Sequence, residues 1–233
     1  MSRPLAEFLA GVLTAATSAV LLIGVLNAYV PAQHVPWKPL NLDQPVGLAT
    51  RWKLDRALDE PGTCRTFLAQ NRIAFSPVAD RTQGFCVLDG AVQLRDGAAR
   101  LSTPPVMDCA LAARYALWER QVVEPAAREL LGSDLARVEH FGAYSCRTLY
   151  GQPGARPSEH ARGAAVDIAA FRLADGRRVT VLEGWNKGGP EAAFLRRVRD
   201  GGCGLFGAVL SPDYNAAHHN HLHLDLSPYS LCR

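Results

Sequence analysis

The sequence predicts an α+β protein in which a small antiparallel sheet is flanked by helices and preceded by an apolar N-terminal helix. Segments with apolar residues at three- and four-residue spacing alternate irregularly with short strand-like runs, and the pairs Asp89-Gly90 and Asp175-Gly176 mark tight turns. The regular strand–helix–strand order of a parallel sheet is missing from this pattern. We therefore expect most strands to pair with antiparallel neighbours.

The N-terminal segment, residues 8–30, is apolar and uncharged. As a helix, it is long enough to cross the roughly 30 Å hydrocarbon core of a bilayer. Signal peptides usually have shorter apolar cores of about 7–15 residues, which favours an uncut transmembrane anchor over residues 1–30. Val30-Pro31-Ala32 nevertheless offers the small-residue chemistry of a cleavage site, so a cleaved signal remains the alternative, and a buried core helix is a third interpretation.

Charge around this segment predicts its orientation. Arg3 is the positive side chain before the segment, and the next one along the chain is Lys38. Positive residues stay on the cytoplasmic side, which places the N-terminus inside and the rest of the chain outside. We expect a single-pass protein of the bacterial inner membrane with its domain in the periplasm, or a periplasmic protein if the segment is cleaved.

Prolines divide the linker from the domain. Residues 31–46 contain Pro31, Pro36, Pro39 and Pro45, a composition that resists regular structure and suits a spacer. Residues 47–233 are enough for one catalytic domain with a substantial core, and a second large domain is not expected.

The first half of this domain is predicted to contain two short helices, at 48–58 and 63–70, followed by strand-like runs at 84–88 and 91–94. Asp89-Gly90 predicts a hairpin between these two runs. A longer amphipathic helix is expected over 106–123, continuing after Pro125 to residue 131. The apolar residues that predict it are Met107, Leu111, Tyr115, Trp118 and Val122.

The second half of the domain is predicted to contain strands at 137–146, 164–172 and 177–182, with a hairpin at Asp175-Gly176. A helix at about 190–200 and a terminal strand at 220–226 complete the domain. Overall charge is small, a formal +3, and contains no basic run. The composition therefore gives no indication of nucleic-acid binding.

Six cysteines all follow the apolar segment, and an even number in an exported chain predicts three disulfides. Six cysteines allow 15 connectivities. Pairing each cysteine with its neighbour in sequence gives the prediction Cys64–Cys86, Cys109–Cys146 and Cys203–Cys232. The last of these would close the segment that carries most of the histidines.

The histidines are concentrated in two short segments. One contains His160 and the other contains His218, His219, His221 and His223. Side chains alternate along an extended strand, so the odd-numbered histidines and Asp225 are predicted to share one face while Leu222, Leu224 and Leu226 point into the core. His34 and His140 are interpreted as ordinary linker and domain residues.

A metal site is predicted from the way these segments combine. Gly163 allows the backbone to turn between His160 and the strand that carries Asp167. With His223, these residues form an N, N, O ligand set that leaves a fourth tetrahedral position open, as in catalytic zinc sites. Without the first segment, the His-x-His pattern would indicate only a surface or packing feature. The string His219-Asn220-His221 also suits an HNH nuclease, but those residues are dispersed in such enzymes.

The combined pattern Ser158-x-His160-x-x-Gly163-x-Ala165-x-Asp167, followed by His221-x-His223, resembles the zinc signature of the LAS peptidases. That group includes D-Ala-D-Ala carboxypeptidases and peptidoglycan endopeptidases. The wider sequence is similar to the bacterial extensin-like C-terminal domain over about residues 37–233. The stretches that carry this second resemblance are 144–147, 158–167, 171–176 and 212–218.

The resemblance implies roles for individual residues. His160, Asp167 and His223 are expected to bind Zn²⁺, and His221 to move the proton of the attacking water. His218 is expected to assist from the opposite side, as in the penicillin-insensitive murein endopeptidases. Arg147 is loosely placed like the arginine that stabilises the oxyanion, although its match is shifted.

The expected function is zinc-dependent hydrolysis of an amide bond in peptidoglycan peptides or cross-links. Carboxypeptidases of the group often have Glu where this chain has His221, which favours an endopeptidase. One alternative is a wall-binding or scaffold module that keeps the zinc without turnover. Another is a zinc hydrolase with a substrate outside the wall. The sequence identifies no protein partner.

Overall fold

The computed structural model describes residues 3–58, 60–97 and 99–233. Its helices are α1 (Arg3–Tyr29), α2 (Thr50–Ala57), α3 (Pro61–Gln70), α4 (Cys109–Trp118), α5 (Glu124–Leu131), α6 (Val181–Gly184) and α7 (Gly189–Cys203). Its strands are β1 (Ala74–Pro77), β2 (Arg81–Gln83), β3 (Cys86–Leu88), β4 (Val92–Asp96), β5 (Arg100–Leu101), β6 (Val106–Met107), β7 (Leu135–Gly142), β8 (Ala165–Leu173), β9 (Arg178–Thr180), β10 (Ala208–Leu210), β11 (Leu222–Asp225) and β12 (Leu231–Cys232). The predicted mixture of helices and sheet with an apolar N-terminal helix is confirmed.

Among the described residues, the apolar stretch of α1 is not buried against the domain, and this helix is long and apolar enough to cross a membrane. A membrane anchor and a signal sequence both meet that description. Lys38 caps the end of this helix by donating to the carbonyls of Asn27 and Val30, at 2.8 and 2.9 Å. Both interpretations of the segment, and the domain boundary at residue 47, stay predictions.

The main sheet is larger than the small antiparallel sheet that was predicted, although most of its strand pairs are antiparallel as expected. In the described part of the chain the main sheet has seven strands, in the order β12-β10-β11-β8-β7-β5 with β9 also paired to β8. The β5–β7 and β10–β12 pairs are parallel. Strands β5 and β12 have two residues each, too few for an alternating pattern, so the sequence did not reveal them. The parallel β5–β7 pair is possible because α4 and α5 form the crossover between the two strands.

One of the two predicted hairpins is confirmed. Asp175-Gly176 lies in the turn between the antiparallel strands β8 and β9. Asp89-Gly90 does not join a hairpin, because β3 pairs with β2 while β4 pairs with β1 and β6. Gly90 does turn, with φ +61°, and its N–H donates to Asp80 at 2.9 Å, but the chain passes here from the sheet of β2 and β3 to the sheet that contains β4.

The predicted central helix begins later than expected and is interrupted. Met107 belongs to β6, and Asp108 starts α4 by accepting hydrogen bonds from the N–H groups of Ala110 and Leu111. A π-helical segment over Glu119–Val123 separates α4 from α5. The helices predicted at 48–58 and 63–70 correspond to α2 and α3, and the one at 190–200 corresponds to α7.

The core lies between these helices and one face of the main sheet. The fully buried Trp118 of α4 packs against Phe171 of β8 and Phe206, with ring centroids 6.2 and 6.5 Å apart. Its indole N–H donates to the carbonyl of Val198 on α7 at 2.9 Å. These helices do not cover the opposite face of the sheet. Val166 and Ile168 on β8 point into the core, so Asp167 between them points to the open face.

Two of the three predicted disulfides are wrong. The pairs are Cys64–Cys109, Cys86–Cys146 and Cys203–Cys232, of which only the last was predicted. Cys64 and Cys109 join α3 to α4, which pack together, whereas Cys86 joins β3 to the loop after β7. Sequence proximity could not anticipate this because tertiary packing decides which cysteines approach within bonding distance.

Gly163 has the turning role that the sequence predicts, and it provides a test of the local packing. Its φ is +69°, and an added Cβ would lie 3.1 Å from the backbone nitrogen of Asp108. We expect Gly163→Ala to lower the free energy of unfolding by roughly 2–3 kcal/mol, since strain and crowding add.

Gly132→Ala is the matched control, because Gly132 has φ +67° but open space around it. This substitution should lower the free energy of unfolding by only about 1–2 kcal/mol, the cost of a left-handed backbone at a residue with a Cβ. Denaturant unfolding of the full-length variants checks the difference. Equal costs for the two substitutions would show that the contact with Asp108 has no energetic weight.

Candidate metal centre

His160, Asp167 and His223 come from three separate elements and converge on one point. His160 lies in the 3-10 turn Glu159–Arg162, and Asp167 and His223 are direct cross-strand partners on β8 and β11. His160 Nε2 is 3.2 Å from His223 Nδ1 and 3.3 Å from Asp167 Oδ2, and His223 Nδ1 is 2.9 Å from Asp167 Oδ1. The structure therefore brings together the ligand set that the sequence predicts.

Local backbone contacts hold the His160 turn against the sheet. The Ser158 hydroxyl accepts a hydrogen bond from the N–H of His160, and the His160 carbonyl accepts one from Ser145 at 3.0 Å. After the turn, the Gly163 carbonyl accepts from the N–H of Asp108 at 2.8 Å. These bonds tie the turn to the end of β7 and to the start of α4, so His160 has little freedom to leave the cluster.

The outer ring nitrogens of both histidines are already committed to hydrogen bonds. His160 Nδ1 is 2.6 Å from the Ala143 carbonyl, and His223 Nε2 is 3.0 Å from Asp225 Oδ2. Both partners are acceptors, so each of these nitrogens carries a hydrogen. The inner nitrogens, His160 Nε2 and His223 Nδ1, then present lone pairs to each other and to the Asp167 carboxylate.

The two facing ring nitrogens need either a proton or a metal ion between them. Two lone pairs 3.2 Å apart repel each other unless a proton or a metal ion lies between them. Two imidazole nitrogens and a carboxylate oxygen are a donor set that zinc accepts, and histidine ligands commonly donate their other N–H to a carbonyl or carboxylate. The side chains and their outer partners therefore fit a metal ion of this kind.

Protonation of the metal-free cluster follows from the same contacts. Burial disfavours a charged imidazole, but hydrogen bonds to Asp167 and Asp225 outweigh it and raise the pKa of His223 to about 9. Burial also disfavours a charged carboxylate, yet hydrogen bonds from His160 and His223 hold the pKa of Asp167 well below its usual range. In the absence of metal, a proton therefore neutralises the cluster at pH 7.

His221 lies beside the ligand set and not within it. Its Nε2 is 3.4 Å from Asp167 Oδ1, while its Nδ1 is 2.9 Å from the Asn220 side-chain oxygen. Asn220 therefore fixes the hydrogen on Nδ1 and leaves Nε2 as an acceptor. Burial lowers the pKa of His221, which keeps the imidazole neutral at pH 7.

His218 also faces this cleft. It lies 5.1 Å from His221 and 5.7 Å from His223, measured between ring centroids. Its Nδ1 is 2.7 Å from Asn215 Oδ1, which leaves Nε2 free to accept a proton. Burial, followed by the neighbouring imidazoles, lowers the pKa of His218 to about 4.

The predicted common face of the odd-numbered histidines is wrong for His219. Strand β11 begins only at Leu222, and His219 is exposed in the turn before it, with Nδ1 2.8 Å from the Ala216 carbonyl. The prediction holds for the buried Leu222 and Leu224, whereas Leu226 follows the strand and is half-buried. The strand is shorter than expected because the 3-10 turn Ala216–His218 takes up the chain before it.

Arg147 lies on the wall of the same cleft, which has a volume of about 230 Å³. It is half-buried, and its positive charge contributes to the lowered pKa of His218. Among the described residues, its guanidinium group makes no ion pair or side-chain hydrogen bond. Tyr150 and Tyr214 complete this wall, and both rings meet His218 edge-on. The predicted residues His218, His221 and Arg147 therefore do lie around the cluster.

Sequence reasoning assigned no role to Asp225, Asn215, Asn220 or the Ala143 carbonyl, which orient the histidines. For Asp225 the signal was its predicted position on the same strand face as His223, two residues away. The amide side chains gave a weaker signal. The Ala143 carbonyl gave none, since any residue supplies a carbonyl.

Comparison with known families adds one finding. Residues 62–233 match the family model described as Extensin-like protein C-terminus, about three quarters of the chain. The chain belongs to this family. No curated protein and no solved structure matches it. The extensin-like region contains all six cysteines and every residue of the candidate metal centre described above.

Asp225 provides a test of how the metal ligands are oriented. Its Oδ1 accepts from the N–H groups of Ala208 and Ser227, so in Asp225→Asn the amide nitrogen would face His223 Nε2. An amide N–H at this point cannot accept the hydrogen of His223 Nε2, so it disfavours the tautomer in which His223 Nδ1 can bind a metal ion. We expect zinc affinity to fall roughly 10–100-fold with the fold intact.

Competition with a fluorescent chelator measures the affinity, and circular dichroism checks the fold. Asp134→Asn is the control, since it neutralises an exposed carboxylate that pairs with Arg128 away from the site. Equal zinc affinity in Asp225→Asn and wild type would contradict the role of Asp225.

The protonation of His223 predicts how metal binding depends on pH. A raised pKa means that zinc must displace a proton below about pH 9. We expect affinity to rise about tenfold per pH unit from neutrality to that value, with release of about one proton per ion. Calorimetry in buffers of different protonation enthalpy measures both quantities. An affinity independent of pH over this window would contradict the prediction.

Proposed function

We propose that this protein is a zinc-dependent hydrolase that cleaves an amide bond in peptidoglycan peptides or cross-links, as an endopeptidase. The observation that carries the proposal is the pair of inner imidazole nitrogens facing the Asp167 carboxylate, with the free His221 Nε2 beside them. When bound there, zinc would supply Lewis-acid polarisation of the substrate carbonyl and a lowered pKa for water. The remaining steps belong to side chains of the cleft.

His221 is suited to act as the general base. A base must lie within hydrogen-bond reach of the proton that it takes, and must be unprotonated at the working pH. Its Nε2 points to the ligand centre, and its depressed pKa keeps it neutral. Asn220 orients the ring, so the proton that His221 accepts at Nε2 can pass to the departing amine.

Arg147 and His218 are suited to the substrate side of the cleft. A guanidinium group without an ion pair in the described structure can stabilise the negative charge that develops on the carbonyl oxygen. Asn215 holds the His218 ring, and its free Nε2 can accept one hydrogen bond from the peptide. Tyr150 and Tyr214 limit how that peptide enters.

The substrate class is inferred from likeness and from export. The order of the motifs is similar to the LAS peptidases, and this likeness supports a peptide of the cell wall as the substrate. His221 in place of the glutamate common in their carboxypeptidases favours the endopeptidase reaction. The apolar N-terminal helix and three disulfides support a periplasmic domain at the inner membrane.

Substitution of neighbouring histidines separates a catalyst from a zinc-containing scaffold. His223→Ala should lose both zinc and hydrolysis, because it removes a ligand. His221→Ala should keep about one zinc per chain while hydrolysis of purified muropeptides falls roughly 10²–10⁴-fold, the usual contribution of a general base. Elemental analysis and mass spectrometry of the products, with and without a chelator, provide the two measurements on the full-length protein in detergent.

His219→Ala is the matched control, since His219 lies in the same segment but is exposed and its Nδ1 contacts the Ala216 carbonyl instead of the cluster. It should retain zinc and activity. Loss of zinc in His221→Ala would mean that ligand and base are assigned the wrong way round. Muropeptides that bind wild type and His221→Ala equally, and stay uncut by both, would establish the scaffold instead.

A further inference from the structure

Four arginines lie side by side across four adjacent strands of the main sheet. The backbone register pairs Arg100 of β5 with Arg137 of β7, Arg137 with Arg172 of β8, and Arg172 with Arg178 of β9. We refer to these four residues as the arginine row. Neighbouring strands are about 4.8 Å apart, so the row extends over roughly 14 Å.

The arginine row lies on the open face of the sheet. The next register position pairs Leu101, Val138, Phe171 and Val179, all of which are buried in the core beneath the helices. Side chains alternate between the two faces of a strand, so the arginines project in the opposite direction. The same face carries Asp167, because the β7–β8 ladder skips Ala169 and so shifts the alternation of β8 by one residue between Asp167 and Arg172.

Charge in the row is only partly compensated. Glu139 forms ion pairs with Arg172 and Arg178, at 2.5 and 2.7 Å. Among the described residues, Arg100 and Arg137 form no ion pair, although they are direct partners on neighbouring strands. Like charges placed opposite each other destabilise a sheet. Two unpaired guanidinium groups at this spacing therefore repel each other, and an anionic group between them would relieve that repulsion.

The arginine row lines an open groove of about 690 Å³ on this face of the sheet. Phe141 lies in this groove, and its exposed ring also meets the His221 ring, 5.9 Å away between centroids. Arg172 follows Asp167 by five residues on β8, a distance of roughly 16 Å along the strand. A peptide of about five extended residues can reach from one to the other.

We propose that the arginine row binds a carboxylate of the peptide substrate, with Arg100 and Arg137 as its main ligands, while the scissile bond lies at the metal centre. The proposal rests on the proposed function and adds a substrate class, an acidic peptide of at least about five residues. Arginine forks bind carboxylates in bidentate geometry, which gives position as well as affinity. The apolar Phe141 would contact the peptide between its two ends.

The proposal is tested by binding, so that its outcome does not depend on turnover. Two fluorescent stem pentapeptides are titrated, one with free carboxylates and one with its side-chain and terminal carboxylates amidated. The protein is the full-length His221→Ala chain in detergent, with and without the added substitutions Arg100→Gln and Arg137→Gln. Arg56→Gln with Arg197→Gln is the matched control, since it removes the same charge from exposed positions on α2 and α7.

We expect the Arg100→Gln/Arg137→Gln substitutions to weaken binding of the free-carboxylate peptide by about 10–100-fold, as for loss of charged hydrogen bonds. The amidated peptide and a tripeptide too short to reach the row should show little change, as should the control variant with either pentapeptide. Equal losses for the free and amidated pentapeptides, or none for either, would overturn the proposal.

Phosphate polymers provide a further discriminating ligand. If short polyphosphate binds through Arg100 and Arg137 while the two pentapeptides bind equally, the row recognises phosphate and the proposal is wrong. If the carboxylate dependence holds but wild type cuts no muropeptide, the peptide site stands and the hydrolytic function fails. The two ideas are therefore separable.

Discussion

The candidate site depends on the hydrogen bonds that the two buried histidines make away from its centre. Because the Ala143 carbonyl and Asp225 each hold a ring hydrogen, the opposite nitrogens of His160 and His223 face Asp167 with free lone pairs. Without those outer acceptors the hydrogen of each ring could move to the inner nitrogen. The lone pairs that would bind a metal ion would then be lost. The Gly163 turn brings His160 next to Asp167, and the pairing of β8 with β11 brings His223 next to the same carboxylate.

The two faces of the main sheet have different roles, since one packs in the core and the other carries the residues of the candidate site. One face is covered by α4, α5 and α7 and holds the aromatic core around Trp118 and Phe171. The other face keeps polar groups that would be costly to bury, including Asp167, and they are accessible to a ligand. Cys203–Cys232 and Cys86–Cys146 hold the segments that flank the cleft, the first around the His218 turn and the second beside Arg147. The site therefore rests on a fixed frame.

The features of the fold and site that the sequence predicts are those determined by residues close together in the chain. The convergence of His160, Asp167 and His223 was predictable, because a glycine turn and strand alternation are local rules. The position of His219 was not, since a 3-10 turn ended the alternation early. Two disulfide pairs and the two-residue strands β5 and β12 also escaped, because only tertiary packing determines which distant segments meet.

The arginine row illustrates the same limit for electrostatics. Its members are scattered from residue 100 to residue 178, and a formal charge of +3 with no basic run gives no indication of a concentrated positive site. Register alone aligns them, because antiparallel and parallel pairings place one arginine from each of four strands at the same level. The small net charge and the lack of a basic run therefore argue against a basic tail or a nucleic-acid-binding surface. They do not show which charged side chains become neighbours in a sheet. An anionic substrate can be recognised by a nearly neutral protein when the strands, and not the sequence, place its arginines together.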